Sequence, residues 1–243
     1  MMALLRKELI SFYGSAMGYV ATAVFLVLTG LVVWVFPGNL LDYGYASLEV
    51  FFDQVPLVLL FLVPAITMRL FAEERRSGTL ELLLTRPITA WSIVLGKYLA
   101  ALVLLVLSLL PTLLYLYTVA ELSAVRGDVD YGAMAGSYFG LLWLGAVFTA
   151  VGLFASVLTE NQIVAFVLAA FLNFLLYAGM DALSALVIGH GAVSDLISRL
   201  GMQYHYDSIS RGVVDSRDVL YFASVSFLFL SAAVTSVHLL RNK

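Results

Sequence analysis

The sequence predicts an all-α polytopic membrane protein with six transmembrane helices. Three observations carry that expectation. Of the 243 residues, 62% are hydrophobic and only 12% are charged, about half the roughly 25% charged share of a soluble domain. Six apolar runs are long enough to cross a hydrocarbon core of about 30 Å, which takes about 20 helical residues. The one dense cluster of charge lies between the second and third of these runs. A water-soluble fold of this length needs a charged exterior that this composition does not supply. The absence of cysteine excludes disulfides and thiolate chemistry.

The elements follow in order along a single membrane domain, residues 1–243. Residues 2–14 read as a short amphipathic helix lying at the membrane interface. Leu4, Leu5, Leu9, Phe12 and Tyr13 share one side at 100° per residue, and Lys7 and Ser11 fall opposite. Gly14 allows a turn into the membrane. The first span, 17–36, is uncharged and too long for a signal-peptide core of about 7–15 residues. Pro37-Gly38-Asn39 ends it. The second span, 51–71, holds Pro64 as an expected kink, with Asp53 and Arg69 near its ends. A charged segment, 73–90, follows. The third span, 98–119, is entered through Trp91 and Lys97 and carries Pro111 as a second expected kink. A polar turn, 121–130, leads to the fourth span, 131–158, and a short loop leads to the fifth, 162–180. Residues 181–218 mix charged and apolar groups, and two short helices dipping into the outer leaflet are expected there. One of them would set Leu196, Ile197 and Leu200 on one side, with Tyr204 and Tyr206 at the interface. The sixth span is 219–240.

Six spans place both termini on one side. That side, with the charged segment and the loop at Thr159, collects nine of the basic residues, and the other side collects four. Basic residues stay cytoplasmic, so the termini and the charged segment are expected inside and 181–218 outside. Small residues at four-residue spacing let helices touch closely in lipid. The fourth span has Gly132, Gly136 and Gly140, then Gly145, Thr149, Gly152 and Ser156. This face can meet another helix of the chain or a partner.

Chemistry within the membrane is not indicated. No His-Glu-x-x-His pair, nucleophile elbow or phosphate-binding loop occurs. Glu73-Glu74 resembles the paired glutamates of a family of membrane proteases, but Gly78 stands where that pattern needs arginine. His190, His205 and His238 show no ligand spacing, and no metal site, catalytic residue or nucleic-acid partner is expected. The span centres are nearly free of charge, which argues against ion coupling. Asn173 is read as a helix-packing hydrogen bond. The driving force is therefore expected to enter through the charged segment.

That segment resembles the first cytoplasmic loop of permease subunits of type-2 ATP-binding-cassette exporters, Glu-x-x-x-Gly-Thr-x-Glu-x-Leu-x-x-x-Pro. Glu74, Gly78, Thr79, Glu81, Leu83 and Pro87 stand in that register, between spans two and three as in the family. The six-span layout and the interfacial helix extend the resemblance to the whole chain. Length, the lack of a fused ATPase and the stretch 211–222 are most similar to the gliding-motility-associated permeases of the family. The resemblance implies a multi-pass protein of the bacterial inner membrane, partnered by ATPase subunits and by a second, identical or different, permease. ATP and magnesium would be bound by the ATPase, with no cofactor on this chain. It also implies a coupling segment made of Glu73, Glu74, Gly78, Thr79, Leu80, Glu81, Leu83, Leu84 and Pro87. A second contact would be made by Glu160, Asn161 and Gln162, and the interfacial helix at Lys7 would rest beside the same ATPase. From the residues alone, Leu80, Leu83 and Leu84 form an apolar face with charges of both signs around it, suited to a groove on another protein. Gly78 either ends the helix leaving the membrane or opens a new one with Glu81 in a partial capping box. Thr89 is placed to cap the third span. The alternative function is a membrane scaffold that anchors an ATPase or an extracellular assembly and transports nothing.

Overall fold

The computed structural model describes residues 2–40, 42, 47–123, 130–186, 191–212 and 214–241. His190, most of the 121–130 turn, Val213 and the last two residues of the tail lie outside that set. Every described element is helical. Helix α1 (Met2–Tyr13) meets α2 (Ala16–Trp34) at a bend of 70°. Helices α3 (Glu49–Thr67) and α4 (Arg69–Arg76) follow one another, and α5 (Thr79–Leu84) lies beyond them. Helix α6 (Ala90–Leu109) passes through a 3-10 turn (Leu110–Thr112) into α7 (Leu113–Leu122). Helix α8 (Tyr131–Leu158) is followed by α9 (Gln162–Phe174), a π-helical turn (Leu175–Gly179) and α10 (Met180–Leu186). Two short helices, α11 (Ala192–Ser198) and α12 (Met202–Ile209), precede α13 (Ser216–Arg241).

Five described stretches are long and apolar enough to cross a membrane: Glu49–Arg76, Ala90–Leu122, Tyr131–Leu158, Gln162–Leu186 and Ser216–Arg241. A sixth crossing follows if the bent pair of α1 and α2 is one span. The fourth span has the expected bounds. The second and third helices run further into charged sequence than 51–71 and 98–119: Glu74 and Lys97 are buried and paired there, while Glu49, Arg76 and Glu121 stay exposed. The fifth continues to Leu186, beyond the expected end at Met180. Pro56 and Pro64 are both carried inside α3, and Pro111 sits in the 3-10 turn, as its missing N–H and fixed φ favour.

Helix α8 is the centre of the bundle and packs against α3, α4, α6, α9, α12 and α13. Its small residues admit this chain's own side chains. A Cβ on Gly140 would come within 2.5 Å of Ile209, one on Gly145 within 2.4 Å of Leu105, and one on Gly152 within 2.2 Å of Thr67. Asn173 is wholly buried and donates to the Phe148 carbonyl at 3.4 Å, the packing role expected of it. The two short helices exist, but Tyr206 does not lie at an interface. It is buried and donates to the Phe52 carbonyl at 2.8 Å, while Leu196 and Leu200 stay exposed. His205 pairs with Asp218 at 2.7 Å and faces the Arg199 carbonyl at 2.9 Å, so both ring nitrogens are occupied within the fold.

Candidate functional site

The charged segment folds into two short helices around one glycine. Helix α4 extends α3 past a break at Met68. The break is bridged from α8: Ser156 Oγ accepts from the N–H groups of Phe71 (3.0 Å) and Ala72 (3.2 Å) and donates to the Met68 carbonyl (2.9 Å). Gly78 adopts φ +70°, the left-handed region that suits glycine, and so ends α4 and starts α5 at once. Both alternatives read from the sequence hold, except that no side chain caps α5. Thr89 caps α6, accepting from the Ser92 N–H at 3.2 Å.

Beneath α4 lies a buried ionic cluster. Lys97, on α6, is fully buried. Its Nζ lies 2.8 Å from Glu8 Oε1 and 2.9 Å from Glu74 Oε2, and donates to the Leu70 carbonyl at 2.5 Å. Lys7 reaches the other Glu74 oxygen at 2.5 Å. Two cations and two carboxylates from α1, α4 and α6 thus neutralise one another, the condition for holding charge in an apolar interior. Arg69 joins α4 to the start of α2, with Nε 2.8 Å from Glu73 and a terminal nitrogen 2.9 Å from Ser15 Oγ. Arg75 donates to the Val157 carbonyl at 2.7 Å and pairs with Glu160 at 3.0 Å. It therefore sits against the negative end of the α8 dipole.

Residues 2–238 match a family model described as ABC-2 family transporter protein. The chain belongs to this family. It is accordingly a multi-pass membrane protein and a permease subunit of an ATP-binding-cassette transporter, a class whose membrane domains are normally non-catalytic and partner ABC ATPase subunits. Comparison with curated proteins gives no match.

The permease divides the sequence-predicted residues between two environments. Glu73, Gly78, Thr79, Glu81 and Pro87 are exposed, and Leu83 is half-buried. Glu74, Leu80 and Leu84 are buried, so the expected apolar face is turned inward. Leu80 and Leu84 hold α5 onto the bundle, and Leu82, which sequence reasoning passed over, is the outward leucine at 69% exposed. The reason is periodicity: a six-residue helix with leucine at four positions must bury some and expose another, and pattern alone does not say which. Glu160 is brought to the charged segment through Arg75. Asn161 caps α9, accepting from the Ile163 N–H at 2.9 Å, and Gln162 opens that helix.

Glu8, Lys97 and Ser156 are the residues that sequence reasoning missed as parts of this site. A signal for Lys97 was present: a helix capped at Thr89 puts residue 97 two turns inside an apolar run, where a lysine needs a carboxylate.

Proposed function

We propose that this permease is the membrane half of an exporter, driven by ATP and magnesium bound on separate ATPase subunits that seat on α5. In this reading the termini, α1 and the segment 73–90 face the cytoplasm of a bacterial inner membrane, and 181–218 faces outward. A second permease, identical or different, completes the pathway among the lipids. The outward surface of α5 and its flanks, Gly78, Thr79, Glu81, Leu82 and Pro87, makes the primary ATPase contact. Half-buried Leu83 supports it from below, and Glu160, Asn161 and Gln162 make a second contact. Lys7 and Glu74 belong to the transmission behind the contact, not to the contact itself. The observation that carries this reading is the mounting of α5. Its exposed tip is joined through α4 to α1 by Lys7, to α6 by Lys97 and to α8 by Arg75 and Ser156. A push on α5 is therefore borne by several helices at once, as force transfer into the spans requires. The likeness of residues 211–222 to motility-associated permeases favours a link to gliding motility.

Leu82→Asp tests the docking. It leaves the buried leucines in place, so the permease folds and reaches the membrane, but its ATPase no longer co-purifies. Retained co-purification with full ATP-driven activity would remove the proposal. Leu80→Asp is not informative, because it buries a charge in the permease itself. If the assembled complex hydrolyses ATP with no stimulation by any exported material, the scaffold reading takes its place.

A further inference from the structure

At the end of the bundle opposite Gly78, the start of α3, the start of α8, the π-helical turn and α12 line a cavity of about 550 Å³ that opens to the surface. That volume is in the range of small-molecule sites, about 300–1,000 Å³. Glu49 and Asp53 line it from α3 and Asp207 from α12, against a single guanidinium, Arg211. Among the described residues, none of these three carboxylates forms an ion pair. Burial first, and then the charge of Asp181, push the Asp207 carboxyl above its ordinary range; Arg211 opposes this and Asp53 adds to it. Three carboxylates thus share the site with one guanidinium, Glu49 and Asp53 at its exposed rim and Asp207 half-buried.

A second observation is independent of the acids. Tyr177 lines the same cavity and is only 5% exposed, yet its hydroxyl has no hydrogen-bond partner among the described residues. The oxygen is open to the cavity rather than sealed in the core, so it is free to accept from a ligand. Its neighbour Tyr206 instead donates to the Phe52 carbonyl and serves the fold. Tyr177 stands on the π-helical turn, a distortion found frequently at functional sites, within electrostatic reach of Asp53, Asp181 and Asp207.

We infer that this cavity binds the ammonium groups of an extended organic amine. An ammonium is a donor of three hydrogen bonds and accepts none, so it matches carboxylates and a free phenol oxygen, with aromatic rings beside them. The described side chains form no cluster of three metal-ligating groups, so the charge is spread along the cavity rather than focused on one point. A chain carrying two or more separated cations fits that spread better than a single metal ion does. The site is remote from α5 and its occupancy is read on the permease alone, so it does not depend on the ATPase docking.

Spermidine is the probe, titrated calorimetrically into the full-length permease purified in detergent at low ionic strength. Saturable 1:1 binding is expected. Asp53→Asn and Asp207→Asn should each weaken it at least tenfold, Tyr177→Phe should weaken it several-fold, and Glu121→Gln, exposed and outside the cavity, should leave it unchanged. Magnesium at equal ionic strength should compete no better than sodium. Absence of binding overturns the inference, as does equal binding by the two Asn variants or displacement by magnesium at matched concentration. Neutralising an unpaired carboxylate relieves repulsion, so the Asn variants should melt no lower than the parent. Should one fail to fold, Tyr177→Phe decides alone, and unchanged affinity in it refutes the assignment.

Discussion

Replacing Lys97 by methionine is the sharpest test of the ionic cluster. Methionine keeps most of the stem and removes the charge. Lys97 is fully buried, and the Glu8 and Glu74 side chains are each only 11% exposed. The substitution therefore leaves two nearly buried carboxylates facing one remaining cation, Lys7, whose side chain is 56% exposed. It also removes the bond that Lys97 donates to the Leu70 carbonyl. Breaking a buried pair from one side costs about 3–5 kcal/mol. At about 2–4 °C per kcal/mol for a chain of this size, the melting temperature should fall by roughly 6–20 °C. Adding Glu74→Gln restores charge balance and should recover at least half of the loss, since a buried pair removed whole is often nearly neutral. The assay is thermal unfolding of the purified permease in a mild detergent, followed by intrinsic fluorescence. A single variant that melts within about 2 °C of the parent, or a double variant no better than the single, would refute the claim that buried ion pairing ties α1, α4 and α6 together.

Two further outcomes are expected. Gly152→Ala sets a Cβ against Thr67 Oγ1, closer than any real Cβ contact, and Thr67 is buried with its hydroxyl bonded to the Val63 carbonyl. The substitution should lower the melting temperature by several degrees, on the order of the 1–3 kcal/mol cost of overpacking, and adding Thr67→Ala should restore most of it. Spermidine affinity should fall on acidification, starting above the ordinary aspartate value of 3.8, because burial first raises the Asp207 carboxyl. The amine needs the ionised form, and Glu49, Asp53, Asp181, Tyr177 and Arg211 are the groups that face or flank it. The unliganded permease should show the opposite trend. Ionising a raised carboxyl costs stability, so its melting temperature should rise as pH falls from the raised value toward 3.8, and Asp207→Asn should flatten that rise.

Much of this protein is legible in its sequence where the controlling interaction is local. The bounds of α8 follow from an uninterrupted apolar run. The break at Gly78 follows from the freedom of glycine, the cap at Thr89 from a hydroxyl three residues before an amide, and the turn at Pro111 from a missing donor. The expected span bounds 51–71 and 98–119 take charge as a sign of solvent exposure. Glu74 and Lys97 are instead buried against each other and against Glu8, which is 89 residues from Lys97. An aromatic ring with a hydroxyl suits an interface, which is where the pattern puts Tyr206, yet its hydroxyl finds the Phe52 carbonyl 154 residues away.

The sequence by itself determined that the chain is a bundle of membrane helices, where the helices break, and which segment leaves the bundle with its charges. Hydrophobic periodicity, proline and glycine act within a few residues, and apolar length alone specifies a crossing. Only the tertiary structure decided which charges are spent inside the fold, which leucine of α5 faces outward, and that Glu49, Asp53, Tyr177 and Asp207 share one cavity. Those outcomes depend on which side chains from distant helices meet in a medium where an unpaired charge is costly, and no local pattern records that meeting.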